Sequence, residues 1–290
     1  MLPPRAEPRQ AVGPSPRSTS TPPLVSVVMT TYRDEPGRLR RAIDSILAQT
    51  LTDLECIVVF EPNDDNYRVL ASTVTDPRVV LVHSTQGRGK PACFNAGLEV
   101  ARGRYIARMD SDDFAYPERL ARQVAFLETN PDISVVGSAA RLLDERDRVV
   151  GVRQFPSSHE GILRSMIVMV PMFHPSVVWD RDRVGRDLRY DVRVQTEDLE
   201  LWMRLIREGH RFANLPEVLF DYRQPPNYSR PRGAWRGVLF VRLRHWRIGF
   251  KYPPILAGIP VFCGLSVMPQ AIIDRIIGRN RISDRLRWIR

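Results

Sequence analysis

The sequence predicts an α/β fold in which flanking helices cover a doubly wound, mostly parallel sheet. The first observation is a set of short, Val-rich apolar runs with the length of buried strands, such as "PLVSVVMTTY" and "LECIVVF". The second is that segments with apolar residues at helical spacing lie between these runs. Strands that alternate with helices along a chain favour a parallel sheet. Ligands of such sheets bind beyond the carboxyl ends of the strands.

The predicted elements follow one another in a regular order. Four buried strands are predicted at "PLVSVVMTTY", "LECIVVF", "RVVLVH" and "RYIARM". Helices are predicted at "GRLRRAIDSILAQ", "ERLARQVAFLE", "KPACFNAGLEVARG", which Gly103 should close, and "EDLELWMRLIREGH", which has Gly209 near its end. The segment "ISVVGSAARLLDERDRVVGVRQF" is predicted to form two strands around a turn, and "VLFDYR" to form the last strand.

Composition divides the chain into three parts. Residues 1–23 are rich in Pro, Ser and Arg without periodicity, and are predicted to be a disordered leader. Residues 24–228 hold the predicted sheet and form the main domain. Residues 229–290 form a tail with 13 basic and two acidic side chains, in a chain whose formal net charge is +10. The positive charge therefore belongs to the tail and not to the main domain.

The cysteines Cys56, Cys93 and Cys263 are odd in number and scattered along the chain. Their spacing indicates neither a zinc site nor a disulfide framework, so a reducing cytoplasmic setting is expected. The N-terminal segment has no continuous apolar stretch, and a secretory signal is therefore not expected.

An acidic run follows the fourth predicted strand. Asp110, Asp112 and Asp113 lie within four residues of the sequence "RMDSDDFAYPERL". A magnesium or manganese ion is usually held by one or two carboxylates while substrate phosphates supply further ligands. Acidic triplets are also common in solvated surface loops, so spacing alone leaves both interpretations open.

Four segments, taken together, resemble the family 2 glycosyltransferases, which have the GT-A fold. They are "VSVVMTTYRDE", "ECIVVFEPNDD", "GKPACFNAGLEVARGRYIARMDSDDFAYPERL" and "TEDLELWMRLIREGHRFANLPEVLFDYR". The similarity runs from about Leu24 to Arg223. "HPSVVW" and "NPDISVVG" are similar to the branch that builds bacterial cell-surface polysaccharides and exopolysaccharides. The resemblance therefore implies that residues 24–228 form a GT-A-type glycosyltransferase domain.

The resemblance first implies a nucleotide site at the ends of the first two strands. Thr31, Tyr32 and Glu35 match the segment that borders the nucleotide. Glu61 falls where the family usually has an aspartate that hydrogen-bonds the base. The usual Asp-Asp-Gly-Ser reads Phe-Glu-Pro-Asn here, which keeps a carboxylate on a longer arm. The identity of the nucleotide base therefore stays open.

The same resemblance implies roles near the sugar and the metal. Lys90 and Asn95 match positions close to the sugar nucleotide. Asp112 matches the direct ligand of Mn²⁺ or Mg²⁺, and Asp110 matches a residue that faces the ribose or the metal's waters. The metal would offset charge on a departing diphosphate.

The acceptor side would lie further along the chain. Asp198 matches the catalytic base of the family, and Glu197 precedes it. Both are also ordinary acids for the first turn of a helix, where the dipole favours ionisation. His174 precedes a proline and could face the acceptor, although a lone histidine is more often structural. Many relatives have a metal-approaching histidine where this chain has Gln224, so no third ligand is assigned.

The tail pattern favours an anionic membrane surface. Residues 252–273 contain no charged side chain, but four prolines interrupt them, so a surface-lying or re-entrant segment is expected instead of a simple span. The preceding segment should place one set of apolar residues on one helical face (Trp235, Leu239, Leu243, Trp246 and Phe250), with basic residues on or near the other (Arg236, Arg244, Arg247 and Lys251). The last segment, "DRIIGRNRISDRLRWIR", is basic with helical apolar spacing. Basic amphipathic helices with Trp suit such a surface.

Two alternatives remain for the tail: the apolar run packs against the main domain, or the arginines bind nucleic acid. An uncharged run of this length is not expected of a nucleic-acid arm, so no nucleic-acid partner is predicted.

The sequence thus predicts an inverting, metal-dependent transfer of a single sugar from a nucleotide-diphosphate sugar to a hydroxyl of a lipid-linked glycan at the cytoplasmic membrane face. Single transfer is expected because the Gln-x-x-Arg-Trp sequence of processive relatives is missing. A sugar nucleotidyltransferase is one alternative, although "TTYRDE" is not the Gly-rich phosphate loop typical of that class. A non-catalytic membrane-associated module of the same fold is the other.

Overall fold

The structure is a computed structural model, and it describes residues 21–84, 87, 89–166, 170–224, 232–268 and 272. The predicted leader lies outside these residues apart from its last three positions, and so does the predicted basic helix at the end of the chain.

The first part of the chain alternates strands and helices as predicted. Its elements are β1 (Val25–Thr31), α1 (Pro36–Leu47), β2 (Leu54–Phe60), α2 (Asn66–Thr73), β3 (Val79–His83), α3 (Lys90–Val100) and β4 (Tyr105–Asp110). The strands lie in the order β3-β2-β1-β4, and every neighbouring pair is parallel. Helix α2 is an addition to the predicted order. The carboxyl ends of these strands therefore share one edge of the sheet.

The second part of the chain extends the same sheet with mixed strand directions. Its elements are β5 (Phe114–Ala115), α4 (Arg119–Thr129), β6 (Ile133–Leu143), β7 (Val149–Arg153), α5 (His159–Ser165), β8 (Val178–Asp180), α6 (Arg181–Val184), α7 (Glu197–Arg207) and β9 (Arg211–Arg223). Strands β8, β6, β9 and β5 follow β4 in that order, and β7 pairs with β6. The long pair β6–β9 is parallel, and the other pairs in this part are antiparallel.

The side chains of β1 show why helices cover both faces of the sheet. Val27 belongs to one buried cluster together with Ile43 of α1. Its neighbour Val28 belongs to the other cluster together with Phe94 of α3. Successive side chains of a strand point to opposite faces, so a strand that is buried along its whole length, as β1 is, needs a layer on each side. The predicted α/β class with flanking helices is confirmed.

Gly103 does not close helix α3 as the sequence suggested. The helix ends at Val100, and Gly103 lies beyond it with its amide donating to Ser26 Oγ at 2.8 Å. A Cβ atom at Gly103 would lie 2.5 Å from the backbone nitrogen of Ser26. A glycine is required here because the chain passes close to β1. By contrast, Gly209 follows α7 with φ of 93°, the left-handed conformation that ends many helices.

The tail folds onto the main domain through α8 (Arg232–Arg244), α9 (Ile248–Lys251) and α10 (Pro253–Val267). Val238, Val241, Ile248 and Phe262 belong to the same buried cluster as the apolar side of α7. Packing against the domain, which the sequence left as an alternative, is therefore part of the structure. In the part of the tail that is described, no helix has both the length and the apolar character needed to cross a membrane.

The predicted apolar face of the tail is divided between two surroundings. Trp235 and Leu239 pack against the buried cluster of the main domain. Leu243, Trp246 and Phe250 are exposed, by 50 %, 45 % and 75 %. The division arises because α8 is covered by the domain and by α10 on the side that carries Trp235.

Candidate active site

Residues that follow β1 are tied to the acidic loop. Asp34 Oδ2 accepts hydrogen bonds from Thr31 Oγ1 at 2.8 Å, from the Tyr32 amide at 3.2 Å and from Ser111 Oγ at 2.5 Å. One carboxylate therefore fixes the end of β1 against the loop that follows β4. The Tyr32 ring, which is 47 % exposed, lies on the surface of this junction.

Two predicted nucleotide-site carboxylates hold backbone amides. Glu35 caps α1, where its two oxygens accept from the amides of Gly37 at 2.8 Å and Arg38 at 2.9 Å. Glu61 Oε1 accepts from the amide of Gly89 at 2.8 Å, at the start of α3. Both carboxylates lie near the carboxyl ends of their strands, as the sequence led us to expect. Their contact with a nucleotide stays a prediction.

The three aspartates of the acidic run lie together. Ligand oxygens of Asp110, Asp112 and Asp113 are all within 4.8 Å of one another. Asp113 is buried, and its Oδ1 accepts from the amide of Arg223 at 2.9 Å, which joins the loop to the end of β9. Asp113 Oδ2 is buried without a hydrogen-bond partner among the described residues. The structure therefore places Asp113 in one cluster with Asp110 and Asp112.

The cluster concentrates negative charge in a poorly solvated place. Burial opposes ionisation of Asp110, but the charges of Lys90 and Arg108 outweigh it and hold the pKa of Asp110 below its usual value. Burial and the charge of Asp110 raise the pKa of Asp112. Burial and the charges of its two neighbours raise the pKa of Asp113 well above its usual value. A cation beside Asp112 and Asp113 would favour their ionised forms.

Two cations lie on the other side of Asp110. Lys90 Nζ donates to Asp110 Oδ2 at 3.2 Å, and the charge of Asp110 raises the pKa of this lysine. Arg108 Nη2 donates to Asp110 Oδ1 at 3.3 Å. The Lys90 side chain is 58 % exposed, whereas that of Arg108 is 4 % exposed. Lys90 is therefore accessible to a ligand, and Arg108 forms part of the floor of the site.

His174 lies in this floor, hydrogen-bonded to Tyr190. The Tyr190 hydroxyl is 2.5 Å from His174 Nε2, and Arg108 Nη1 is 3.1 Å from the same hydroxyl. Burial and the charge of Arg108 lower the pKa of His174, so this imidazole is neutral. Burial raises the pKa of Tyr190, which keeps its proton. Arg108 Nη1 also lies 3.0 Å from His174 Nε2 and 3.1 Å from His174 Nδ1, so Arg108, His174 and Tyr190 form one hydrogen-bonded group.

The buried Asn95 holds this arrangement from behind. Its Nδ2 donates to the carbonyl of Tyr190 at 2.9 Å, and its Oδ1 accepts from the amide of the same residue at 2.9 Å. Asn95 thus fixes the backbone that carries the Tyr190 ring. The sequence placed Asn95 near the sugar nucleotide, and the structure places it one layer below the surface of the site.

Glu197 and Asp198 begin helix α7. Burial and the charge of Asp198 raise the pKa of Glu197, while the charges of Arg108 and Lys90 act in the opposite direction. Asp198 Oδ1 accepts from the amide of Leu199 at 2.7 Å. Glu197 therefore lies within electrostatic reach of the two cations that contact Asp110.

Four residues of this site were not singled out from the sequence: Asp34, Arg108, Tyr190 and Arg223. Arg108 carried a usable signal, because residues two apart on a strand point to the same face, and Arg108 is two residues before Asp110. Asp34 and Tyr190 lie in irregular segments, where periodicity gives no direction. Arg223 ends the last strand, and only the sheet order brings it to the acidic loop.

The cluster meets the requirements of a divalent cation. Mg²⁺ and Mn²⁺ prefer oxygen ligands, and the cluster offers carboxylate oxygens in one place. Asp113 Oδ2 adds a buried oxygen that lacks a partner among the described residues. Asp112 and Asp110 were predicted for this site, and they are two of the three residues that form it.

The chain was compared with known proteins. The model of the family described as "Glycosyl transferase family 2" matches residues 26–177. A putative glycosyltransferase, EpsE of Bacillus subtilis, is 35% identical over 218 residues, which are 72% of this chain and 76% of that protein. The amylovoran biosynthesis glycosyltransferase AmsE of Erwinia amylovora is 29% identical over 267 residues, which are 89% of this chain and 99% of that protein.

Solved structures agree on the fold. A mannosyltransferase from Pyrobaculum calidifontis, in complex with GDP-Man and Mn²⁺, superposes with a TM-score of 0.59 at 18% identity, covering 94% of this chain and 86% of that one. TarS residues 1–349 of S. aureus, in complex with UDP-GlcNAc, superposes with a TM-score of 0.57 at 17% identity, covering 88% and 70%. The predicted GT-A-type fold is confirmed. Since the family model matches more than half of the chain and EpsE exceeds 30% identity, this chain belongs to glycosyltransferase family 2.

Proposed function

We propose that this glycosyltransferase transfers a single sugar, with inversion, from a nucleotide-diphosphate sugar to a hydroxyl of a lipid-linked glycan during synthesis of a surface polysaccharide. The observation that carries the proposal is the placement of two acidic groups around one pair of cations. The Asp110 cluster contacts Lys90 and Arg108, and the same two charges act on Glu197. Such a site can hold a diphosphate on one side and activate a hydroxyl on the other.

The donor side is built from groups suited to a diphosphate and a metal. Asp112, with Asp110 in support, would hold Mn²⁺ or Mg²⁺, which when bound offsets the negative charge that develops on the departing diphosphate. Lys90 has an exposed ammonium group beside Asp110 and can contact a phosphate oxygen. Thr31, Tyr32, Glu35 and Glu61 border the nucleotide at the ends of the first two strands.

The acceptor side requires a base opposite the leaving diphosphate. In an inverting transfer, the hydroxyl attacks the anomeric carbon from the far face and loses its proton as the bond forms. Asp198, on the first turn of α7, is our candidate for the group that takes this proton. The raised pKa of the neighbouring Glu197 means that this carboxylate also binds a proton more tightly than usual. Glu197 is therefore a second candidate for the base, and Asp198 and Glu197 must be tested separately.

His174 is proposed as a residue beside the acceptor and not as a base. Both ring nitrogens lie within 3.1 Å of Arg108 Nη1, and Nε2 also lies 2.5 Å from the Tyr190 hydroxyl. Burial and the charge of Arg108 lower the pKa of His174, which disfavours the imidazolium that a base would form. The ring can therefore shape the site, but it is poorly suited to take the proton of the acceptor hydroxyl.

The proposed acceptor and location draw on the relatives. AmsE is named for amylovoran biosynthesis. WfaP of Escherichia coli, 27% identical over 201 residues, is named as a glucosyltransferase acting on a diphosphoundecaprenol-linked sugar. A lipid-linked acceptor places the reaction at a membrane, and the free, buried thiols of Cys56 and Cys93 suit the reducing cytoplasmic face. The donor's sugar and base are left to experiment.

A donor panel tests the proposal. The protein is incubated with uridine- and guanosine-diphosphate sugars and Mn²⁺, and release of the nucleoside diphosphate is measured. We expect slow release with one donor, lost in Asp112→Asn and, by at least about a hundredfold, in Asp198→Asn. If Glu197→Gln abolishes release and Asp198→Asn does not, Glu197 is the base.

Two other outcomes would overturn the proposed reaction. Release of pyrophosphate from a nucleoside triphosphate and a sugar 1-phosphate would identify a sugar nucleotidyltransferase. The failure of every donor to bind in the presence of Mn²⁺ would indicate a non-catalytic module of the same fold.

A further inference from the structure

The outer surface of α8, α9 and the turn between them carries four exposed apolar side chains. Phe240, Leu243, Trp246 and Phe250 are 57 %, 50 %, 45 % and 75 % exposed. Phe240 and Leu243 are three residues apart in α8, a spacing that makes helical side chains neighbours, and Trp246 lies in the turn before α9. The rings of Trp246 and Phe250 are in contact, with centroids 5.2 Å apart. We call these four residues the tail face.

The charged side chains that α8, α9 and the turn between them expose are basic. Arg244 pairs with Asp191 of the main domain at 2.8 Å, whereas Arg236, Arg247 and Lys251 are exposed without a counter-charge on these elements. The Arg247 guanidinium lies over the Trp246 ring, 5.9 Å from its centroid. No aspartate or glutamate occurs in the sequence from residue 232 to residue 268. The surface therefore combines aromatic and aliphatic groups with an unbalanced positive charge.

We infer that the tail face binds an anionic lipid bilayer. Aromatic and aliphatic groups at a basic helical surface enter the boundary between headgroups and acyl chains, and nearby arginines and lysines contact anionic headgroups. The inference deepens the proposed membrane location by naming the surface that makes the contact.

The positive charge and the apolar side chains of the tail face together indicate which kind of partner binds there. A second copy of this chain would bring like charges together, because a two-fold contact places the same patch on both sides. Nucleic acid would engage the cations but would leave Phe240 and Leu243 in water. An anionic bilayer satisfies both parts of the surface.

Helix α10 packs against α8, although its uncharged sequence suggests a membrane contact. Phe262 is buried, and its ring stacks on that of Trp235 with centroids 6.0 Å apart. The guanidinium of Arg242 lies 4.4 Å from the centroid of the same Phe262 ring. One side of α10 is therefore used in packing against α8. The tail face, and not this helix, offers the larger exposed aromatic surface.

The tail helices also contact the helix that carries the candidate base. The buried His245, which follows α8, has its Nε2 3.5 Å from Glu200 Oε1 in α7. A Cβ atom at Gly237 would lie 3.5 Å from Thr196 Cγ2, at the start of α7. Because α8 and α7 are in direct contact, binding of the tail face to lipid would set the orientation of Asp198 relative to the membrane.

Vesicle sedimentation of the full chain tests this inference. The vesicles contain phosphatidylcholine alone or phosphatidylcholine with phosphatidylglycerol. We expect binding to the second kind, weakened by salt. The double variant Trp246→Ser/Phe250→Ser should bind at least about tenfold more weakly, because two large apolar side chains no longer enter the bilayer. Arg247→Gln/Lys251→Gln should bind about tenfold to thirtyfold more weakly, because two charges are lost.

The matched control is Val69→Ser, which removes a 48 % exposed apolar side chain from α2, far from the tail in sequence. It should bind vesicles like the unaltered protein. Unchanged binding by both double variants, or no binding of the unaltered protein to anionic vesicles, would overturn the inference. A dimer that only the apolar double variant loses would instead assign the tail face to a second copy.

Nucleoside-diphosphate release is measured on the same samples without vesicles. Release should be equal in the unaltered protein and in both double variants, because the tail face does not contact the donor. This readout separates the two proposals: loss of vesicle binding with normal release supports the inference, and absence of release in every sample concerns the proposed reaction alone.

Discussion

Replacing Asp113 by asparagine should stabilise the metal-free protein. The Asp113 carboxyl is buried beside Asp110 and Asp112, and its Oδ2 lacks a hydrogen-bond partner among the described residues. Asparagine has nearly the same shape and keeps the oxygen that accepts from the Arg223 amide. Its amide group can also donate to a neighbouring carboxylate. The substitution therefore removes a repulsion and keeps the contact with β9.

The magnitude follows from the spacing of the cluster. Ligand oxygens of Asp110 and Asp113 lie within 4.8 Å of each other. Two unit charges at that distance repel by about 3.5 kcal/mol when the effective dielectric constant is about 20. Partial protonation of Asp113 and the cations beside Asp110 reduce this value. We expect the free energy of unfolding to rise by about 2 kcal/mol at neutral pH.

The effect should depend on pH in a defined direction. Burial and the charges of Asp110 and Asp112 raise the pKa of Asp113 in the folded state, so folded Asp113 binds its proton more tightly than unfolded Asp113. Its contribution to stability is complete below the unfolded pKa and is lost as the pH rises through the folded pKa. The advantage of Asp113→Asn should therefore be small near pH 4 and should grow toward neutral pH.

Urea unfolding in the presence of a chelator measures this difference. Asp44→Asn is the matched control, because Asp44 is exposed in α1 and, among the residues that the structure describes, its carboxylate pairs with Arg40 alone, at 2.9 Å. That control should change stability by less than about 0.5 kcal/mol. A destabilised Asp113→Asn protein, or an advantage that does not change with pH, would refute the electrostatic description of the cluster.

Three further substitutions test other parts of the structure by urea unfolding. Tyr190→Phe should lower the free energy of unfolding by about 1–2 kcal/mol, because His174 Nε2 loses its hydrogen bond with the hydroxyl at 2.5 Å. A variant as stable as the unaltered protein would contradict this hydrogen bond. Glu200→Gln should lower the free energy of unfolding by about 2 kcal/mol at neutral pH. Burial opposes ionisation of Glu200, but the nearby His245 and the hydrogen-bonded Arg204 lower its pKa, so the stability that Glu200 adds is lost as the pH falls. The destabilisation should therefore shrink in acid, and a destabilisation that does not change with pH would argue against the Glu200–Arg204 ion pair. Gly97→Ala should lower the free energy of unfolding by about 1–3 kcal/mol, because the added methyl carbon would lie 2.4 Å from a valine side chain of β1. An unchanged free energy of unfolding would mean that α3 and β1 are less tightly packed than the structure shows.

The regular elements of this fold were predictable because their signals are local. Short, mostly apolar runs marked β1, β2 and β4, and helical spacing marked α1 and α7. Helix α2 was missed because its sequence, "NYRVLAST", contains little apolar periodicity. The short strand β8 was missed because three residues give no period to detect. Its position between β4 and β6 is a tertiary property of the sheet.

In the candidate site, too, local motifs were predictable from the sequence, whereas contacts between distant segments were not. The acidic run was visible as a motif, and the fold places it at the strand edge where ligands bind. The floor of the site was not visible, because Arg108, His174 and Tyr190 come from three distant segments. The division of the tail's apolar residues between core and solvent also depended on packing, since helical spacing alone does not tell which side meets the domain.

The central claim is that the two carboxylates have separate roles: Asp112 binds the metal and thereby the donor, and Asp198 takes the proton of the acceptor hydroxyl. The most direct test measures donor binding and transfer side by side in the presence of Mn²⁺, with calorimetry for binding and nucleoside-diphosphate release for transfer. Asp198→Asn should bind the donor with unchanged affinity and transfer at least about a hundredfold more slowly. Asp112→Asn should lose Mn²⁺-dependent donor binding. If Asp198→Asn weakens donor binding as much as it slows transfer, or if Asp112→Asn binds the donor normally, the division is wrong.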